Sequence, residues 1–138
     1  MNPLYSGGTA GSLIVSAIAR HGDQPALADG TVRWTYREFG DVIARFITLF
    51  RSIGLKKGDA LSVLSGNRAD SWAAIAACMV MGLRYTPLHP MAAEDDHAFI
   101  IEDAEIDADR RGRQVFRAGP GDQGARPRPQ TSALVRPA

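Results

Sequence analysis

Asn67 stands directly beyond a short apolar run, Ala60-Leu61-Ser62-Val63-Leu64, with only Ser65-Gly66 between. If that run is a strand of a parallel sheet, Asn67 lies past its carboxyl end, the side on which open α/β sheets bind ligands. Its amide could contact a ligand there, or it could cap the turn or the next helix by local hydrogen bonding. His21, His89 and His97 are the three histidines. A metal site needs converging ligands, and these are scattered without cysteine partners, so no metal is expected. Glu94-Asp95-Asp96 could attract Mg²⁺, but consecutive helical side chains diverge, and a helix start favours negative charge without an ion. Lys56 and Lys57, the only lysines, sit in a turn and are expected to be exposed. Cys78, the only cysteine, excludes an intrachain disulfide. Within Ala73-Ala74-Ile75-Ala76-Ala77-Cys78-Met79-Val80 it reads as a small buried hydrophobe. No catalytic, cofactor-binding or metal-binding residue is assigned.

The elements that would position these groups follow from periodicity. Leu13, Ile14, Ala17 and Ile18 recur at helical spacing and stop at His21-Gly22-Asp23 and Pro25, a short helix of about eight residues. Gly7-Gly8-Thr9-Ala10-Gly11 ahead of it reads as a loose arm over residues 1–12; it lacks a lysine and follows no strand, so it is not taken as a phosphate loop. Asp29-Gly30-Thr31 between Ala26-Leu27-Ala28 and Val32-Arg33-Trp34-Thr35 is a hairpin signal. Thr35 and Glu38 form a capping box, and Phe39, Ile43, Phe46, Ile47, Phe50 and Ile53 make an apolar stripe on a helix from 36 to 53. After the strand at 60–64, a second long helix spans 69–81, with Trp72, Ile75, Ala76, Met79 and Val80 expected as its buried face. Trp34 and Trp72 are both assigned to packing. A strand at 83–88 and a helix at 93–103 complete a strand, helix, strand, helix series, the pattern of a parallel sheet.

The pattern breaks near Asp107. Residues 1–107 carry 9 Lys+Arg against 13 Asp+Glu, a net charge of −4, whereas residues 108–138 carry 7 against 2, a net charge of +5. The second segment is rich in Arg, Pro, Gly and Ala and is expected to be irregular or disordered. Its arginines could bind nucleic acid by charge alone, but no recognition fold accompanies them, so nucleic acid is not an expected partner. The first residues have no basic stretch ahead of an apolar one, and no run approaches about 18 apolar residues, so neither a secretory leader nor a membrane span is expected and the default location is cytoplasmic.

Trp34-Thr35-Tyr36-Arg37-Glu38-Phe39, Gly54-Leu55-Lys56-Lys57-Gly58-Asp59, Asn67, Gly82 and Tyr85-Thr86-Pro87-Leu88-His89-Pro90 together resemble, in order and spacing, the opening of the AMP-forming adenylating enzymes. That family includes the fatty-acid–CoA ligases. The resemblance covers roughly residues 18–106 and implies a partial parallel-sheet subdomain of the adenylate-forming ligase fold over 13–107, followed by a tail over 108–138 that could be out of frame. It also implies an intact relative that joins ATP, Mg²⁺, a carboxylic acid and coenzyme A through an acyl adenylate. The family's Ser/Thr/Gly-rich phosphate loop, its Tyr-Gly-x-Thr-Glu segment, its ribose-binding aspartate and its C-terminal lysine have no counterpart in these 138 residues. No cofactor is therefore expected here, and this chain is expected to be inactive alone. Its expected partner is the remainder of such a ligase, or a second copy held through exposed apolar surface.

Overall fold

The computed structural model describes residues 8–30, 32–104, 106 and 115–117. Helix α1 runs Ala10–His21, earlier and longer than the periodicity implies. Thr9 and Ser12 cap it reciprocally: the Ser12 backbone N–H donates to Thr9 Oγ1 at 3.1 Å, and the Thr9 N–H donates to Ser12 Oγ at 2.9 Å. Residues 10–12, expected in a loose arm, are thus the first turn of the helix. Gly11 is buried there because a Cβ would lie 2.5 Å from the Met79 carbonyl oxygen.

Strands β1 (Pro25–Ala28) and β2 (Arg33–Thr35) form the expected antiparallel hairpin. Gly30 takes φ +88°, which its lack of a Cβ permits. Thr35 then caps α2, Tyr36–Ser52. Glu38 donates its backbone N–H to Thr35 Oγ1 and accepts the Thr35 N–H at 2.8 Å. The Tyr36 and Arg37 N–H groups reach the carbonyls of Gln24 and Gly22, so the start of α2 is satisfied by the chain leaving α1.

Strands β3 (Ala60–Leu64), β4 (Arg84–Leu88) and β5 (Val115–Arg117) form a parallel sheet of order β4-β3-β5. Every residue of β3 is buried. Its side chains alternate, with Leu61 and Val63 packing on Ile43, Phe46, Phe50 and the helix α3 (Ala69–Met81). Ala60 and Leu64 face the other way, toward Leu88 and Ile101 of helix α4 (Glu94–Asp103). The chain steps from β3 to β4 in one direction and from β4 past β3 to β5 in the other. Right-handed crossovers then require their helices to lie on opposite faces, as α3 and α4 do.

Two expectations change. The buried face of α3 is not the one led by Trp72: that side chain is 54% exposed, and Ile75, Met79 and Val80 are only half-buried. Ala73, Ala74, Ala76, Ala77 and Cys78 are buried instead, because α3 is wedged between α1, α2 and the sheet, where small side chains let three neighbours approach. Trp34 does pack on the core, its ring stacked near Phe39 at 6.5 Å. Within the segment 108–138, where no strand is expected, Val115–Arg117 pairs with β3. The expectation of irregularity otherwise falls outside the described residues. Phe99 of α4 is 68% exposed, and Ile101 is the residue that docks the helix.

Candidate functional site at the carboxyl end of the sheet

The reversal of direction at β3 makes the crevice beyond its carboxyl end the place where an open α/β sheet ordinarily holds a ligand. The segment Ser65-Gly66-Asn67-Arg68 follows the carboxyl end of β3 and leads into α3. Asn67 is exposed, and its side chain has no hydrogen bond among the described residues. It therefore caps neither the turn nor the helix.

The cap comes from elsewhere. Arg68 holds the N-cap position without a side-chain cap, and the carboxylate of Asp29, forty residues earlier in the hairpin turn, accepts the Ala69 N–H at 2.8 Å. Its other oxygen accepts the Val32 N–H at 3.0 Å, so one side chain closes the hairpin turn and fastens it to α3. The Ser71 N–H donates to Asp70 Oδ1 at 2.9 Å. Arg68 embraces Asp70 through two nitrogens at 3.0 and 3.1 Å, and this hydrogen bonding, with Asp70 and Asp29 nearby, holds its guanidinium above the usual arginine range. The Ser65 and Ser71 hydroxyls bond to each other, and Ser71 also donates to the Gly66 carbonyl at 3.1 Å.

The electrostatic consequence is direct. At this helix N-terminus the Ala69 and Ser71 amides are already taken by the carboxylates of Asp29 and Asp70, and the Arg68 guanidinium is paired with Asp70, so these donors are not available to a phosphate. The residues of this crevice do not fit the phosphates of ATP. Asp29 was legible in the sequence only as half of an Asp-Gly turn. The available signal was indirect: Arg68 cannot cap, so α3 needed an acceptor from elsewhere.

The histidines divide. His21 ends α1 with its ring 5.7 Å from that of Tyr36. His89 and His97, eight residues apart, are linked through the backbone: His97 Nε2 donates to the His89 carbonyl oxygen at 2.7 Å, and His89 Nδ1 accepts the Met91 N–H at 3.2 Å. They staple the β4–α4 connection. Among the described residues no three His, Cys, Asp or Glu side chains gather as a metal centre would require, and Glu94, Asp95 and Asp96 occupy the exposed first turn of α4. Lys56 Nζ pairs with Asp59 at 2.9 Å, and the stem of Lys57 lies against Gly82; both lysines are exposed. Cys78 is fully buried, and loss of solvation pushes its thiol up to about 12, so it is no nucleophile at neutral pH. No helix among the described residues is long and apolar enough to cross a membrane.

The sequence profile of the AMP-binding enzymes, described as "AMP-binding enzyme", matches residues 15–108. The chain belongs to the AMP-binding enzyme family. It is 38% identical over 96 residues to medium/long-chain-fatty-acid–CoA ligase FadD8 of Mycobacterium tuberculosis, a match covering 70% of this chain and 17% of that protein. Over 96 residues it is 29% identical to enterobactin synthase component F of Escherichia coli O157:H7, covering 70% of this chain and 7% of that protein. Among solved structures, the N-terminal subdomain of Klebsiella oxytoca NpsA superposes with a TM-score of 0.69 at 17% identity, covering 78% of this chain and 30% of that one. The helix, hairpin and partial parallel sheet are thus the fold of an adenylate-forming ligase subdomain, and the matches span less than a fifth of the two curated relatives and 30% of the NpsA subdomain.

Proposed function

We propose that these residues are the scaffold portion of a fatty-acid–CoA ligase and that they carry no adenylation chemistry themselves. The observation supporting the substrate class is the 38% identity over 96 residues with a fatty-acid–CoA ligase, against 29% over the same length with a component of enterobactin synthase. The observation supporting the division of labour is the crevice beyond β3, where Asp29 and Asp70 occupy the amides that a nucleotide phosphate would need. In this reading ATP, Mg²⁺ and coenzyme A are handled by residues outside these 138. The protein works in the cytoplasm, where those co-substrates are at hand.

A segment swap tests it. The matching segment of FadD8 is replaced by residues 15–108 of this chain, and the equivalent replacement is made in enterobactin synthase component F. The FadD8 chimaera should keep fatty-acyl-CoA formation within about tenfold of its parent, and the second chimaera should lose activity. A folded FadD8 chimaera that makes no fatty-acyl adenylate, or equal tolerance of the segment by both hosts, would overturn the reading.

A further inference from the structure

Every residue of β3 is buried, and Ala60-Leu61-Ser62-Val63-Leu64 carries neither a charge nor a proline. With an open edge, such a segment is a template for pairing with another chain. The sheet of order β4-β3-β5 has two edges, and they are closed in different ways. On the β4 side the Arg84 N–H points toward β3 and donates to the Asp59 carbonyl at 2.9 Å, so by alternation residues 86 and 88 also face β3, and 85 and 87 face outward. Pro87 therefore leaves that edge without one of its outward donors.

The other edge is that of β3 itself, and β5 covers it. Leu61 and Val63 turn their backbone groups toward β4, so Ser62 and Leu64 turn theirs toward β5. With Ser62 opposite Val115, Val63 opposite Phe116 and Leu64 opposite Arg117, the residue that faces back is Phe116. Its N–H is directed at the Ser62 carbonyl and its carbonyl at the Leu64 N–H, while the N–H groups of Val115 and Arg117 face away. A five-residue apolar edge is thereby replaced by one of three residues that ends in arginine. Arg110, Arg111 and Arg113 precede it in a segment of net charge +5, so two such edges repel each other. Strand β5 lies beyond the family match, which ends at residue 108, and β3 is the element that it chiefly contacts.

We infer that β5 is an edge guard: the chain folds three residues of its basic segment onto β3, where they exclude a strand of a second copy of this chain. The excluded strand is the β3 of that copy. Two identical edges meet across a two-fold axis, and the β3 edge offers five apolar residues with no arginine to oppose.

Phe116→Pro in the 138-residue chain tests the guard, because it removes the N–H that residues 115–117 give to β3. The unaltered chain should be a monomer by light scattering, with the Ser62 and Leu64 amides protected from hydrogen exchange as those of Leu61 and Val63 are. In dilute Phe116→Pro the Ser62 and Leu64 amides should exchange at least about tenfold faster while Leu61 and Val63, bonded to β4, stay protected; raising the concentration should then bring dimers. Val115→Pro, which removes an outward N–H, should do neither. Self-association of the unaltered chain, a Phe116→Pro variant that stays monomeric, equal exchange of all four amides in it, or the same behaviour in Val115→Pro overturns the inference. So does a Phe116→Pro variant whose Cys78 thiol becomes reactive, since β5 would then hold the fold together instead of guarding its edge.

Discussion

Removing the carboxylate of Asp29 should destabilise two elements at once. In Asp29→Ala the Ala69 N–H loses its acceptor, and Ala69 is 1% exposed, so water does not replace it. An unsatisfied buried donor costs about 1–3 kcal/mol, and loss of a helix cap typically about 1 kcal/mol; these describe the same bond and are not added. The Val32 N–H is lost separately, at about 1 kcal/mol for a half-buried turn bond. The expected total is about 2–3 kcal/mol, a large part of a small domain's stability. Urea unfolding at 25 °C measures it as a lower midpoint with unchanged slope. Asp29→Asn keeps one acceptor oxygen, enough for the Ala69 N–H, but sets its NH2 against the Val32 N–H, so it should cost about 1 kcal/mol, less than the alanine. A loss below about 0.5 kcal/mol in Asp29→Ala would refute the tertiary cap.

Three further outcomes follow from the geometry. Gly11→Ala should destabilise by about 1–3 kcal/mol in thermal or urea unfolding, although alanine ordinarily favours a helix, because its Cβ would strike the Met79 carbonyl; a stabilised variant would contradict the close α1–α3 crossing. Glu38 is held below the usual glutamate range by the Thr35 N–H first and the Thr35 hydroxyl second. Its stabilising contribution is therefore present above the unfolded value and lost as pH falls through the lower folded one, so Glu38→Gln should be less stable than the parent at neutral pH and converge with it in acid, flattening that part of the acid unfolding curve. The Cys78 thiol, pushed up to about 12 by burial, should resist iodoacetamide at pH 8 in the folded protein and react fully in urea; fast labelling without denaturant would mean that the α3 core is not closed.

How far the sequence could be read depended on the range of each cause. Helix α2 was legible because its stop, stripe and capping box lie within a few residues of one another. The boundaries of α3 were legible for the same reason, from Gly82 and the alanine-rich run. Its buried face was not, since hydrophobicity ranks Trp72 above Ala73 and Ala77 while burial depends on how closely α1, α2 and the sheet approach. The cap of α3 was hidden because Asp29 acts across forty residues. Strand β5 was hidden because three residues beside β3 pair by virtue of its open, buried edge, and Val115-Phe116-Arg117 carries no period that could announce it. At the candidate site, Asn67 was placed correctly beyond β3, while the charges that decide the crevice's character come from Asp29 and Asp70.

The central claim is that this chain folds as part of an adenylate-forming ligase without performing adenylation. Exchange of radiolabelled pyrophosphate into ATP, measured with the purified 138-residue chain, Mg²⁺ and medium- to long-chain fatty acids, tests it most directly. The account predicts no exchange above a heat-denatured control while Cys78 remains protected. Fatty-acid-dependent exchange by the folded chain alone would contradict it.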